Sequence, residues 1–101
     1  MYNFDVIVIG AGPAGIFTAL ELDKQAPDKK ILVVDSGSSI NKRSCPARKI
    51  GRCINCKPCN IMNGWAGAGA FSDGKLSLSE NVGGNITDYI HIEKVRKLIK
   101  Y

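Results

Sequence analysis

Two short apolar runs, VIVI at Val6–Ile9 and ILVV at Ile31–Val34, flank a stretch whose apolar residues recur at helical spacing. Each run is rich in β-branched residues, the composition expected of parallel strands buried on both faces. Between them the spacing predicts a helix from Pro13 to about Gln25, with Ile16, Ala19, Leu20 and Leu22 on its buried side. Pro27 ends it, because a proline disfavours helix at the residue before it. After Val34 the pattern changes. Ser36 to Asn60 is polar and broken by Gly37, Pro46, Gly51 and Pro58, and connections of that length are usually functional or mobile. Further on, Leu76 to Leu78 reads as a short strand. Thr87 to Tyr101 reads as a helix with Ile92, Val95, Leu98 and Ile99 at helical spacing. The strand–helix–strand order predicts an α/β fold built on a Rossmann-like βαβ unit.

The first strand runs without a gap into a glycine turn in which Gly10, Gly12 and Gly15 spell G-x-G-x-x-G. In such a turn the first glycine allows the tight reversal and the second lets a pyrophosphate approach the backbone. The third allows close packing of helix on strand. Pro13 suits the first helical turn, where its missing N–H would have had no partner. The helix start offers free N–H groups and the positive end of its dipole to phosphates. The second strand ends in Asp35, about 20 residues after the turn, where an acid binds a ribose diol and repels a 2′-phosphate. FAD or NAD fits this pattern and NADP does not. A glycine turn in an unrelated α/β domain is the bland alternative, and it leaves the flanking strands and the acid unexplained.

GAGPAG, so close to the N-terminus, resembles the FAD-binding start of the flavoprotein oxidoreductase superfamily, the glutathione-reductase-like enzymes among them. GWAGAGAFSDGKLSLS at Gly64–Ser79, together with the cysteine-bearing segment before it, resembles a narrower group. These are the bacterial and archaeal proteins called uncharacterised FAD-dependent dehydrogenases, or NAD(FAD)-utilising dehydrogenases. The resemblance covers nearly the whole chain. It implies that Gly10, Gly12, Pro13, Ala14, Gly15 and Asp35 hold the ADP half of FAD. Gly67, Gly69, Ser72 and Asp73 would lie in a second segment near the cofactor. It also implies a flavin-dependent dehydrogenase with NAD(P)H as a candidate co-substrate, and it identifies neither substrate nor catalytic residues. Residues 1–101 would then be the N-terminal part of an incomplete FAD-binding domain. That part comprises the βαβ unit at 1–35, a basic cysteine-containing connection at 36–60 and a cofactor-proximal segment with a final helix at 61–101. Members of the group are longer, and no stop signal follows the last helix. The expectation is therefore an N-terminal fragment, inactive alone.

All four cysteines, Cys45, Cys53, Cys56 and Cys59, fall in the connection, the last three spaced C-x2-C-x2-C. In a reducing compartment such a cluster points to metal or redox chemistry more than to disulfides. An iron–sulfur cluster leads, since ferredoxin-type runs open with this spacing. Zinc, a reversible dithiol and four idle thiols stay open. No acid lies between Asp35 and Asp73, whereas Lys42, Arg43, Arg48, Lys49, Arg52 and Lys57 do. Without those six the chain has eight basic residues against nine acids, so the positive excess sits around the cysteines. These cations would favour thiolates, or would meet a pyrophosphate, an anionic substrate or an electron-transfer partner. A solvated basic loop is the plain alternative.

No apolar run reaches the length of a membrane span. MYNFDVIVIG reads as a first strand and not a signal peptide, so the expected location is cytoplasmic. The basic segment lacks interleaved aromatics, which argues against nucleic acid. His91, the one histidine, reads as a surface residue before it reads as a general base. Trp65 reads as core packing before cofactor stacking, and Lys75 with Asp73 as a polar turn or a cofactor contact. A non-enzymatic module using the cysteines for redox or metal binding is the second functional class.

Overall fold

The structure is a computed structural model that describes residues 2–72, 74 and 77–101. Strand β1, Val6–Ile9, and strand β2, Ile31–Val34, lie side by side and parallel, with Val6 opposite Ile31 and Ile9 opposite Val34. The Asp5 carboxylate accepts the Lys30 N–H at 2.9 Å, which fixes the register at the start of the pair. Helix α1, Pro13–Gln25, crosses between the strands and packs on both. Its C-cap residue Ala26 returns its N–H to the Leu22 carbonyl, and Pro27 prevents another turn. The three predicted elements thus stand at the expected bounds.

Their burial differs from the expectation. β1 alternates, with Val6 and Val8 turned towards α1, whereas Ile7 is 58% and Ile9 88% exposed. On α1, Ile16, Ala19 and Leu22 are half-buried, while Leu20 is exposed. A strand buried on both faces needs a second layer. Among the described residues a two-stranded sheet carries a helix on one face only. The described chain is accordingly flat, 47 × 45 × 20 Å, and its fully buried apolar residues are Ala11 and Val95.

The connection after β2 contains one 3-10 turn at Ile40–Lys42 and a single helical turn, α2, at Ala47–Ile50, closed by Gly51 in the left-handed region at φ 75°. Residues Gly67–Phe71 form a second 3-10 turn. Of the expected strand at Leu76–Leu78, Leu76 lies outside the described residues, and Ser77 and Leu78 carry no strand. The expected helix at Thr87–Tyr101 is shorter than its pattern. Ile86–Asp88 is a separate 3-10 turn, and helix α3 runs Ile92–Ile99 with His91 as its N-cap. The apolar stripe holds only from Ile92 on. Val95 is its buried centre, while Ile92 and Leu98 stay exposed. Tyr101 joins this end of the chain to α1, with its ring edge-on to Phe17 at 6.2 Å and the Lys24 ammonium 4.9 Å from its centre.

Candidate functional site

The glycine turn has the geometry its spacing predicts. Gly10 sits at φ +102°, a conformation that L side chains rarely adopt, and its N–H donates to the Val34 carbonyl at 2.6 Å. A Cβ on Gly15 would fall on the Gly10 carbonyl oxygen and press on Val8 Cγ1, so only a glycine lets α1 sit this close to β1. Gly12 is different. A Cβ there would meet nothing within 4 Å, so the protein's own packing does not require a glycine. The open space in front of Gly12 is what an approaching pyrophosphate needs. Gly12 is also the N-cap of α1, Pro13 occupies its first turn, and no side chain caps it. The early N–H groups of the helix, those of Ala14 and Gly15 among them, therefore lack the side-chain acceptor that helix starts usually recruit.

Asp35 lies beside this turn. One carboxylate oxygen accepts the Ala11 N–H at 2.8 Å, and the other accepts the N–H groups of Gly37 at 2.8 Å and Gly64 at 2.7 Å. Those bonds, from Ala11 and Gly37 above all, hold its carboxyl below the ordinary carboxylate value, with Arg43 adding a smaller push. A carboxylate has roughly four acceptor positions, so one remains for an incoming hydroxyl. Asp35 is thus the tie that binds glycine turn, connection and second segment together, a role that its spacing alone did not foretell.

The second segment lies against the first. The Ala66 N–H donates to the Ala11 carbonyl at 2.7 Å. Ala66 itself holds φ +65°, a strained value for a residue with a side chain, compensated by that bond. A Cβ on Gly67 would touch Gly12 Cα at 3.4 Å, and one on Gly69 would reach Pro13 Cγ at 4.0 Å. The structure therefore brings Gly67 and Gly69 to the glycine turn. Ser72 stands just past the 3-10 turn, with its hydroxyl accepting the Gly74 N–H at 3.2 Å. Asp73 and Lys75 lie outside the described residues.

What holds the second segment in place is Arg43, one of the six cations read as surrounding the cysteines. It is 6% exposed. Its guanidinium donates to four backbone carbonyls: Asn60 at 2.9 Å, Ile61 at 2.5 Å, Trp65 at 2.6 Å and Gly67 at 2.8 Å. Its plane also lies over the Phe71 ring at 4.7 Å. The planar, five-donor fork suits a site where several carbonyls converge. Nothing in the sequence separates Arg43 from its basic neighbours, because its partners are backbone atoms up to 24 residues away. Trp65, by contrast, is half-exposed where core packing was expected. His91 is exposed, in keeping with its surface reading.

The four cysteines line one pocket of about 500 Å³. All four thiols are free; Cys53 is exposed and the others half-buried. The backbone N–H groups of Met62 and, next, Ile61 lower the Cys59 thiol from its ordinary value. The Asn55 N–H donates to Cys53 Sγ at 3.4 Å, with Asn55 in the left-handed region at φ 52°. Among the described residues, no group of three or more His, Cys, Asp or Glu side chains is arranged to hold a metal ion.

These observations define a partial α/β fold with an anion-ready helix start beside an acid. Residues 5–47 match the FAD binding domain family, which covers β1, the glycine turn, α1, β2 and Asp35. An uncharacterised protein of Clostridium beijerinckii is 43% identical over 74 residues, which span 70% of this chain and 13% of that protein. The mitochondrial electron transfer flavoprotein-ubiquinone oxidoreductase of Dictyostelium discoideum is 40% identical over 42 residues, 38% of this chain and 7% of that protein. The chain thus spans a small part of the length of the relatives it matches. No solved structure matches. No helix among the described residues is long and apolar enough to cross a membrane.

Proposed function

We propose that this chain binds the ADP half of FAD and forms the nucleotide-binding part of a flavin-dependent dehydrogenase. The observation that carries this reading is the contrast between two glycines of the turn. Gly15 is demanded by the protein's own packing, whereas Gly12 faces open space at an uncapped helix start, beside a carboxylate with an acceptor position to spare. The match of residues 5–47 to an FAD binding domain supports the same cofactor. In this reading the backbone at Gly12, Ala14 and Gly15 receives the pyrophosphate and Asp35 accepts a ribose hydroxyl. Gly67 and Gly69 close the cofactor's other side, Arg43 is the positioning residue that holds their segment through the Gly67 carbonyl, and the resemblance adds Ser72 and Asp73 to the cofactor-proximal residues. Bound flavin would supply the hydride or electron chemistry, while the chain's own residues bind, orient and shield it. Substrate and catalytic residues stay unassigned, and NAD(P)H is the co-substrate class that the resemblance suggests.

The direct test is equilibrium titration of the protein with FAD, NAD and NADP, following flavin fluorescence or heat. FAD is expected to bind with saturable one-to-one stoichiometry, and ADP to compete for the same site. NADP is expected to bind at least ~10-fold more weakly than NAD, because its 2′-phosphate meets Asp35. Indifference to all three nucleotides would sink the proposal.

A further inference from the structure

The cysteine pocket lies outside everything the nucleotide reading uses. We propose that Cys45, Cys53, Cys56 and Cys59 are the four ligands of a 4Fe–4S cluster seated in the pocket they line. This inference stands independently of FAD binding.

Four observations carry it. First, thiols from two separate stretches, Cys45 at the foot of α2 and the C-x2-C-x2-C run, converge on one concavity. Its volume is about 500 Å³, against ~30 Å³ for one water molecule. That is room for a multi-atom inorganic core and far more than one ion requires. Second, the run C-x2-C-x2-C is the spacing with which ferredoxin-type cluster sites open, whereas structural zinc sites use two well-separated pairs. The described residues hold no ready-made ion site, so the thiols would close on the cluster as it binds. Third, an N–H group already donates to one of the sulfurs, from Asn55 to Cys53 at 3.4 Å. Such bonds are among the protein's means of stabilising a charged cluster and setting its potential. Fourth, four thiolates around a cluster carry net negative charge. Lys42, Arg48, Lys49, Arg52 and Lys57 share the segment, and no acid occurs between Asp35 and Asp73. Binding releases one proton per thiol as each sulfur becomes a thiolate ligand.

The site also has a defined relation to the glycine turn. Arg43 grips the carbonyls of Asn60 and Ile61, directly after Cys59, and that of Gly67, which touches Gly12. One buried side chain therefore anchors both the cysteine loop and the segment that lies on the nucleotide turn.

The test is anaerobic reconstitution of the purified protein with ferric iron, sulfide and excess dithiothreitol, which reduces two of every four ferric ions as it is oxidised to its disulfide, followed by gel filtration and assay of iron, acid-labile sulfide, zinc and FAD. The expected result is ~4 irons and ~4 sulfides retained per chain. Broad sulfide-to-iron charge-transfer absorption should accompany them and bleach on reduction. Cys53→Ser and Cys56→Ser should each lose most of the retained iron while FAD titrates as in the parent. Retention of one zinc per chain with no iron would overturn the proposal. So would a metal-free protein that forms a disulfide on oxidation, or iron that both variants keep. Because FAD is titrated separately, failure here and failure of the nucleotide reading give different signatures.

Discussion

Two charged side chains, Asp35 and Arg43, lie eight residues apart in the chain and hold the molecule together in opposite ways. Asp35 is an acceptor that collects three backbone N–H groups, and Arg43 is a donor that collects four backbone carbonyls. Asp35 ends a strand and stands at a spacing that announces it. Arg43 sits in an irregular loop and is announced by nothing. Regular structure satisfies its own backbone groups, so the βαβ unit needs few polar ties, Asp5 at one end of the strand pair and Asp35 at the other. The connection from Gly37 to Phe71 has little regular structure, and its converging carbonyls need an internal donor. A buried, multiply bonded arginine thus replaces the hydrogen-bond ladder that the loop lacks.

The largest effect that would sharpen this comparison lies in the βαβ unit. Gly15→Val places side-chain carbon on the Gly10 carbonyl, and a loss of ~3 kcal/mol or more in denaturant unfolding is expected. Gly12→Ala meets open space, so stability should change by less than about 1 kcal/mol. FAD affinity in that variant should still fall ~10-fold. Equal stability losses at the two positions would mean that Gly12 serves packing and not a ligand.

Next comes Arg43. Arg43→Met removes the donor and leaves converging carbonyls without it, and a loss of about 2–4 kcal/mol is expected. Arg43→Lys should restore less than half of that, since a point charge cannot reach four carbonyls as the planar fork does. Full rescue by lysine would show that charge, not geometry, holds the loop, and the comparison with Asp35 would fail.

The smallest effect is the pH dependence carried by Asp35. Its folded carboxyl is held below the ordinary 3.8 by its backbone partners. A depressed value means that the stabilisation is fully present above the unfolded value and is lost as pH falls through the folded one. Urea midpoints measured from neutral pH down to pH ~3 should therefore show a fall at the acid end, below the ordinary carboxylate range. Asp35→Asn should start from a lower midpoint at neutral pH and show a shallower acid fall. It should also weaken FAD ~10-fold, through loss of the charged acceptor. An unchanged acid profile in the variant would show that other groups set the dependence.

Much of the first third of the molecule was legible from local chemistry. VIVI, the glycine spacing, Pro13, Pro27 and ILVV each act through their own backbone or near neighbours, so β1, α1 and β2 stand at the predicted bounds. The same reasoning failed where the outcome depended on a missing neighbour. Ile7, Ile9 and Leu20 have the composition of buried residues, yet among the described residues no second layer covers them. The helix expected at Thr87–Tyr101 also overran its true start. Its apolar stripe begins only at Ile92, whereas Thr87 and Asp88 belong to the Ile86–Asp88 3-10 turn and the chain bends at Ile90 before α3 begins.

The sequence by itself therefore determined the βαβ unit, its glycine turn and the acid at its end, because those signals act over a few bonds. It also determined that four thiols and an excess of positive charge share one stretch. Only the tertiary structure decided that Asp35 would tie Ala11, Gly37 and Gly64 together, and that Gly67 and Gly69 would lie on Gly12 and Pro13. The same holds for Arg43, one of the six like charges in its stretch, which alone among them is buried as an organising side chain. Those outcomes rest on backbone groups far apart in the chain. A side chain's type does not reveal which distant carbonyls will converge on it.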